Sequence, residues 1–185
     1  MNKNQTPNFM YFAIKSALLD KNIYKHFIQK EEVSIYSLII VTISALSASI
    51  GVQYRSRAID LSELGIDGYV IMMMTASSIF VGWILWAYVS KVLCSYWGDE
   101  NDDFRKSIRT IGIAYSPGIL MIFTGIPIVG PLFMFVASIW ILISVTVAIS
   151  AVNKIGIIKS LIPGILGWIM SWILVPWLIV GQYIF

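Results

Sequence analysis

IGIAYSPGILMIFTGIPIVGPLFMFVASIWILISVTVAISAV, residues 111–152, runs for 42 positions without a charged side chain. A helix crossing the hydrocarbon core of a bilayer, about 30 Å thick, needs roughly 20 mostly apolar residues. The stretch is therefore long enough for two crossings. Gly125-Ile126-Pro127-Ile128-Val129-Gly130-Pro131 divides it, because proline and glycine at this density stop a helix and turn the chain. The turn carries no charge, which places it shallowly at a membrane boundary. The second arm, 128–152, is a full span. The first is short: 16 residues rise only about 24 Å, and Pro117 removes one helical hydrogen bond. Its start is expected near Phe104, giving a span over 104–126, with Arg105, Lys106 and Arg109 reaching back to the interface. A re-entrant hairpin over 111–152, entering and leaving on one side, is the alternative.

Outward from this stretch the pattern repeats. Residues 33–52, 69–89 and 161–183 each meet the length requirement, so the expected fold is an all-α integral membrane protein, a bundle of five transmembrane helices. The composition agrees: 58% of the 185 residues are hydrophobic and 12% charged, about half the charge of a soluble domain. A soluble core of this size could not hide so much apolar surface. No cleavable signal peptide is expected, since the first apolar run begins only near Val33.

Five spans put alternate loops on opposite sides. Eleven lysines and arginines then lie with the N-terminal segment and the second and fourth loops; Arg55 and Arg57, beside Asp60, Glu63 and Asp67, are alone on the other side. The positive-inside rule fixes the N-terminus in the cytoplasm and the C-terminus outside, at a cell membrane.

Two segments outside the spans carry pattern. Residues 1–32 form a cytoplasmic leader ahead of the membrane domain, 33–185. From Phe9 to Phe27 it has helical periodicity, with Phe9, Phe12, Leu19, Ile23 and Phe27 on one face and Lys15, Lys21, Lys25 and His26 largely on the other; Leu18 and Asp20 interrupt the pattern. This reads as an amphipathic helix lying on the anionic inner leaflet, or packed on the cytoplasmic ends of the spans. The second segment is the loop Trp97-Gly98-Asp99-Glu100-Asn101-Asp102-Asp103-Phe104. Asp99, Asn101 and Asp103 mimic the first calcium-loop positions, but Phe104 replaces the required glycine and Thr110 the closing glutamate. Asp102 or Asp103 is better read as the cap of a helix beginning at Phe104.

Chemistry is absent where catalysis would need it. With the third span drawn from Ile111, the spans hold no Asp, Glu, Lys, Arg or His, which disfavours an ion-coupled transporter working alone. Their serines have no histidine or lysine base in the same span, and no glycine-rich phosphate loop exists. One cysteine, Cys94, and one histidine, His26, exclude a disulfide and make a metal cluster unexpected. No cofactor, no enzymatic activity and no nucleic-acid partner are expected. Small residues four apart (Ser44 with Ala48, Ala45 with Ser49, Ser78 with Gly82) allow close helix approach, inside the bundle or between copies. Trp83, Trp86, Trp168, Trp172 and Trp177 read as interface anchors, with a tryptophan-lined ligand site as the sharper alternative.

From about Trp83 to Trp168 the chain resembles the Yip (Ypt-interacting protein) domain family of five-span membrane proteins. A cytoplasmic loop leads into an aromatic and a basic residue, Phe104-Arg105. Next comes Ile113-Ala114-Tyr115-Ser116-Pro117, then a break carrying Pro127 and Gly130. A long span with Trp140 in its middle follows, and Ser150-Ala151-Val152-Asn153-Lys154 precedes the last span. The resemblance implies a non-enzymatic role; in eukaryotic members it implies vesicle trafficking and binding of prenylated Rab-type GTPases. This chain lacks an Asp-Leu-Tyr-Gly-Pro motif before the first span, and its leader is short and basic. It is similar instead to the small prokaryotic branch, which argues against a GTPase partner. The leading expectation is a protein that organises membrane or engages lipids, other membrane proteins or its own copies. An accessory subunit of a larger complex and a small-solute permease are the alternatives. Lys15, Lys21, Lys25, Lys91, Arg105, Lys106 and Arg109 are the candidate lipid head-group contacts.

Overall fold

The computed structural model describes residues 8–28, 30–58, 67–97 and 103–180. All regular elements among them are helical: α1 Phe9–Ala17, α2 Lys21–Phe27, α3 Glu32–Ala58, α4 Gly68–Tyr96, α5 Phe104–Ala114, a 3₁₀ segment Ser116–Gly125, α6 Gly130–Asn153, α7 Ile157–Ile169, a π segment Met170–Leu174 and α8 Val175–Val180. Asp67 caps α4 and Asp103 caps α5, each side chain accepting from the backbone N–H two residues on. Residues 98–102 of the calcium-like loop, Asp60, Glu63 and residues 181–183 lie outside the described residues.

Four helical segments are long and apolar enough to cross a membrane: Glu32–Ser56, Gly68–Tyr96, Gly130–Asn153 and Ile157–Ile179. A fifth candidate is the pair Phe104–Ala114 and Ser116–Gly125, bent by 46°. This pair runs alongside α3 for most of its length. Gly112 packs on Ser37, Gly118 on Ser44, Gly51 on Thr124 and Gly125 on Tyr54. It is a broken rod packed along α3, and by length and composition it is either a broken span or a re-entrant arm beside α6, itself about 36 Å long. The 3₁₀ geometry lengthens the short apolar run. At about 2.0 Å per residue the ten residues Ser116–Gly125 span about 20 Å, and α5 adds about 16 Å.

Small residues set the helix spacing. A Cβ on Gly167 would collide with the Trp86 ring, and one on Gly130 with the Thr124 carbonyl. Ser49 Oγ donates to the Met72 carbonyl of α4 and Ser171 Oγ to the Gly82 carbonyl, so the small-residue pairs serve internal packing. Trp83 and Trp86 are buried, with their indole N–H groups on the carbonyls of Ile108 and Pro163. They are core residues rather than the interface anchors expected of them. Trp168 and Trp172 are half-buried, and Trp177 is exposed.

The leader departs most from expectation. It forms two helices instead of one continuous amphipathic helix, and the break falls at Leu18–Asp20, where the periodicity was interrupted. Leu19 adopts φ 63°. Its N–H donates to the Ser16 carbonyl and that of Asp20 to the Lys15 carbonyl, the paired bonds of a left-handed helix stop. Asp20 then caps α2 through the Asn22 N–H. The resulting hairpin is built into the bundle: Phe12, Ile23, Tyr24 and Ile28 are all buried, and α2 packs on α6.

Candidate functional site: the hairpin tip and the basic rim

Pro117 has no N–H to give the carbonyl of Ile113, four residues earlier, so the rod breaks with an orphaned acceptor in the protein interior. Serines answer it. Ser116 Oγ donates to the Ile113 carbonyl at 2.6 Å. Ser16 Oγ, from the end of α1, stands 2.6 Å from Ser116 Oγ and 3.3 Å from the same carbonyl. Ser44 Oγ of α3 donates to the Tyr115 carbonyl at 3.0 Å. Two further contacts hold the hairpin at the same height: Trp140 Nε1 donates to the Ala17 carbonyl at 3.0 Å, and the Tyr24 hydroxyl lies 3.3 Å from Ser144 Oγ.

These partners fix the depth of the tip. Ser44 is ten residues beyond Ser34, about 15 Å along α3; Trp140 is close to the centre of α6, Gly130–Asn153. At its other end the hairpin meets the start of α3, where the rings of Phe9 and Phe12 contact Tyr36 at 5.5 and 5.7 Å. The hairpin thus enters at the end of the bundle where α3 and α5 begin, and it turns back halfway along.

Charge travels with it. Lys15 Nζ lies 3.8 Å from Asp20 Oδ2, both side chains partly exposed, and 5.8 Å from the centre of the Tyr11 ring. Lys21, the next residue, is exposed at the start of α2. The hairpin thus brings Lys15, Asp20 and Lys21 beside the middle of α6, in addition to the ionisable residues that the rods themselves carry, among them Arg55, Lys91, Arg105, Lys106 and Arg109. Ala17, Leu18 and Leu19 face Phe135, Ile139 and Ile143 across an open apolar hollow beside the tip.

The other candidate head-group residues lie elsewhere. Arg109 Nε donates to Ser34 Oγ at 2.6 Å and Nη1 approaches the Ile28 carbonyl at 3.4 Å, tying α5 to α3 and to the foot of the hairpin. Arg105 and Arg109 line a shallow hollow with Glu31, Ser34, Phe104 and Ile108. Lys106 is half-buried in the first turn of α5, Lys91 is half-buried in α4, and Lys25 is exposed on α2. The structure therefore gathers Arg105 with Arg109 at a rim and separates Lys15 and Lys21 from them. Of the family-motif residues, Phe104 opens α5, Tyr115 is buried with its ring 6.0 Å from Trp86, Pro117 is buried at the break, Pro127 is exposed in the turn, and Gly130 is buried at the head of α6.

Sequence reasoning missed the depth of Ser16, Tyr24 and Trp140. The signal present was the orphaned Ile113 carbonyl implied by Pro117; Ser116 is its local partner, but nothing local names Ser16, 97 residues away. Among the described residues no group of three His, Cys, Asp or Glu side chains is placed to hold a metal ion. No family model, curated protein or solved structure matches the chain.

Proposed function

We propose that this protein is a five-span, non-enzymatic membrane protein of the Yip type that organises the cytoplasmic leaflet. The observation that carries the reading is the half-depth hairpin. Lysine and arginine placement supports an N-terminus inside, which puts the hairpin in the cytoplasmic half only. There it adds two helices of cross-section that the opposite half lacks. Its tip also holds Lys15, Asp20 and Lys21 at a depth where an unpaired charge at a helix centre costs about 2.5–3.5 kcal/mol, offset by pairing, snorkelling and local thinning of the bilayer. Arg105, Lys106, Lys91 and Lys25, on the same side, supply attraction to anionic head groups. Both effects act on lipid and neither needs a chemical step.

A permease has less support. The Ser16, Ser116, Tyr24 and Ser144 hydroxyls bond to one another or to main chain at mid-depth, which closes the hairpin side of the bundle. The test is reconstitution into vesicles containing anionic lipid at rising protein density, with diameters read by electron cryomicroscopy. The native protein is expected to reduce mean diameter as density rises. A Trp140→Ala, Ser144→Leu variant, whose hairpin has lost its seat, is expected to lose the effect. Equal diameters with native protein, variant and empty vesicles would contradict the proposal.

A further inference from the structure

We infer that the half of the bundle away from the hairpin holds a binding site for a small uncharged molecule carrying a hydroxyl on an apolar body. A cavity of ≈ 180 Å³ lies between α3, α4, the 3₁₀ segment, α6 and the π segment. It begins at Tyr115 and extends past Ala48 to Val52 of α3, beyond the level of Ser44. Both irregular helices contribute to its wall, through Thr124 of the 3₁₀ segment and Ser171 and Trp172 of the π segment. Departures from α geometry of this kind recur at functional sites.

The hydrogen-bonding groups of the wall define the ligand. Thr75, Ser78, Thr124 and Ser171 each donate their hydroxyl proton to a main-chain carbonyl, those of Ile71, Met74, Met121 and Gly82, at 2.7–2.8 Å. Their oxygens retain lone pairs and act only as acceptors. Trp172 provides the complement: its indole Nε1 is buried with no acceptor, and native proteins rarely leave such a donor unpaired. A hydroxyl both accepts from an N–H and donates to a Ser or Thr oxygen, so it satisfies this wall where a hydrocarbon does not. The remaining lining is apolar apart from the Tyr115 hydroxyl, which is paired with Ser171, and it includes no charged residue, which disfavours ions. The volume exceeds the roughly 150 Å³ engineered cavity that takes up benzene, so a ring or short chain with one hydroxyl fits. The inference rests on the cavity alone and stands whether or not the hairpin acts on the leaflet.

The test uses the full chain in detergent micelles, with 4-fluorobenzyl alcohol and 4-fluorotoluene as probes read by fluorine NMR against empty micelles. The native protein is expected to bind the alcohol saturably and in preference to the toluene. Trp172→Phe, which keeps a ring but removes the N–H, is expected to weaken the alcohol about fivefold, the worth of one neutral hydrogen bond, and to leave the toluene unchanged. Ser78→Leu, which fills the cavity, is expected to abolish binding of both. Absence of saturable binding to the native protein would overturn the inference, as would equal binding of the two probes or an alcohol affinity unchanged in Trp172→Phe.

Discussion

Gly167 approaches Trp86 so closely that any side chain there would occupy the space of the indole ring. Gly167→Ala is therefore expected to destabilise the protein by about 1–3 kcal/mol through overpacking. Gly156→Ala, at the N-cap of α7 with nothing within 4 Å of the added carbon, is the matched control, losing at most about 1 kcal/mol. Thermal unfolding in detergent compares them. Lys154 is exposed and ends α6 at φ 54°, a conformation costing a non-glycine residue about 1–2 kcal/mol. Lys154→Gly is expected to raise stability by about 1 kcal/mol in the same assay; a loss would mean that the cap is held by contacts of the lysine itself. At this scale the sequence was readable where chemistry is local. Asp103 caps α5 as its place before Phe104 suggests. Trp83 and Trp86 were misread because tryptophan serves both interfaces and cores, and only their carbonyl partners on distant helices decide between the two.

Elements differ in how they obtain their hydrogen bonds, and the broken rod depends on its neighbours. Pro117 leaves the Ile113 carbonyl to Ser116 and Ser16, and Ser44 serves Tyr115. The hairpin is in turn held by Trp140 and Ser144. Trp140→Phe keeps the ring and removes the bond to Ala17, costing about 1 kcal/mol. Its backbone amides from Met10 to Asn22 are expected to exchange with deuterium several-fold faster, while those of α3 and α6 hold their rates. Uniform exchange across all helices would mean that the hairpin does not open as a unit. The sequence marked this element but not its place. Apolar spacing from Phe9 to Phe27 fits a surface helix as well as a buried hairpin, and the deciding contacts pair Ser16 with Ile113 and Tyr24 with Ser144, each about a hundred residues apart. The rods were more legible, because apolar length alone specifies them. The 3₁₀ stretch was not, since a run of that geometry longer than three or four residues is uncommon and only the missing length hinted at it.

At the scale of the molecule, charge placement is the ground for the proposed orientation. Eleven lysines and arginines against two predict that a reporter fused ahead of Met1 is protected from protease added outside intact cells; free cleavage there would reverse the assignment of the hairpin to the cytoplasmic half. The central claim, however, is depth. Leu18 at the tip and Ile139 near the centre of α6 line the same hollow, whereas Ile155 follows the far end of α6. In a Cys94→Ala background, cysteine pairs at 18 and 139 and at 18 and 155 are treated in native membranes with a short, membrane-permeant, thiol-reactive cross-linker. A seated hairpin predicts a bond between 18 and 139 and none between 18 and 155, because residue 18 meets the middle of α6 and not its end. A bond only between 18 and 155 would place the leader on the membrane surface and contradict the account.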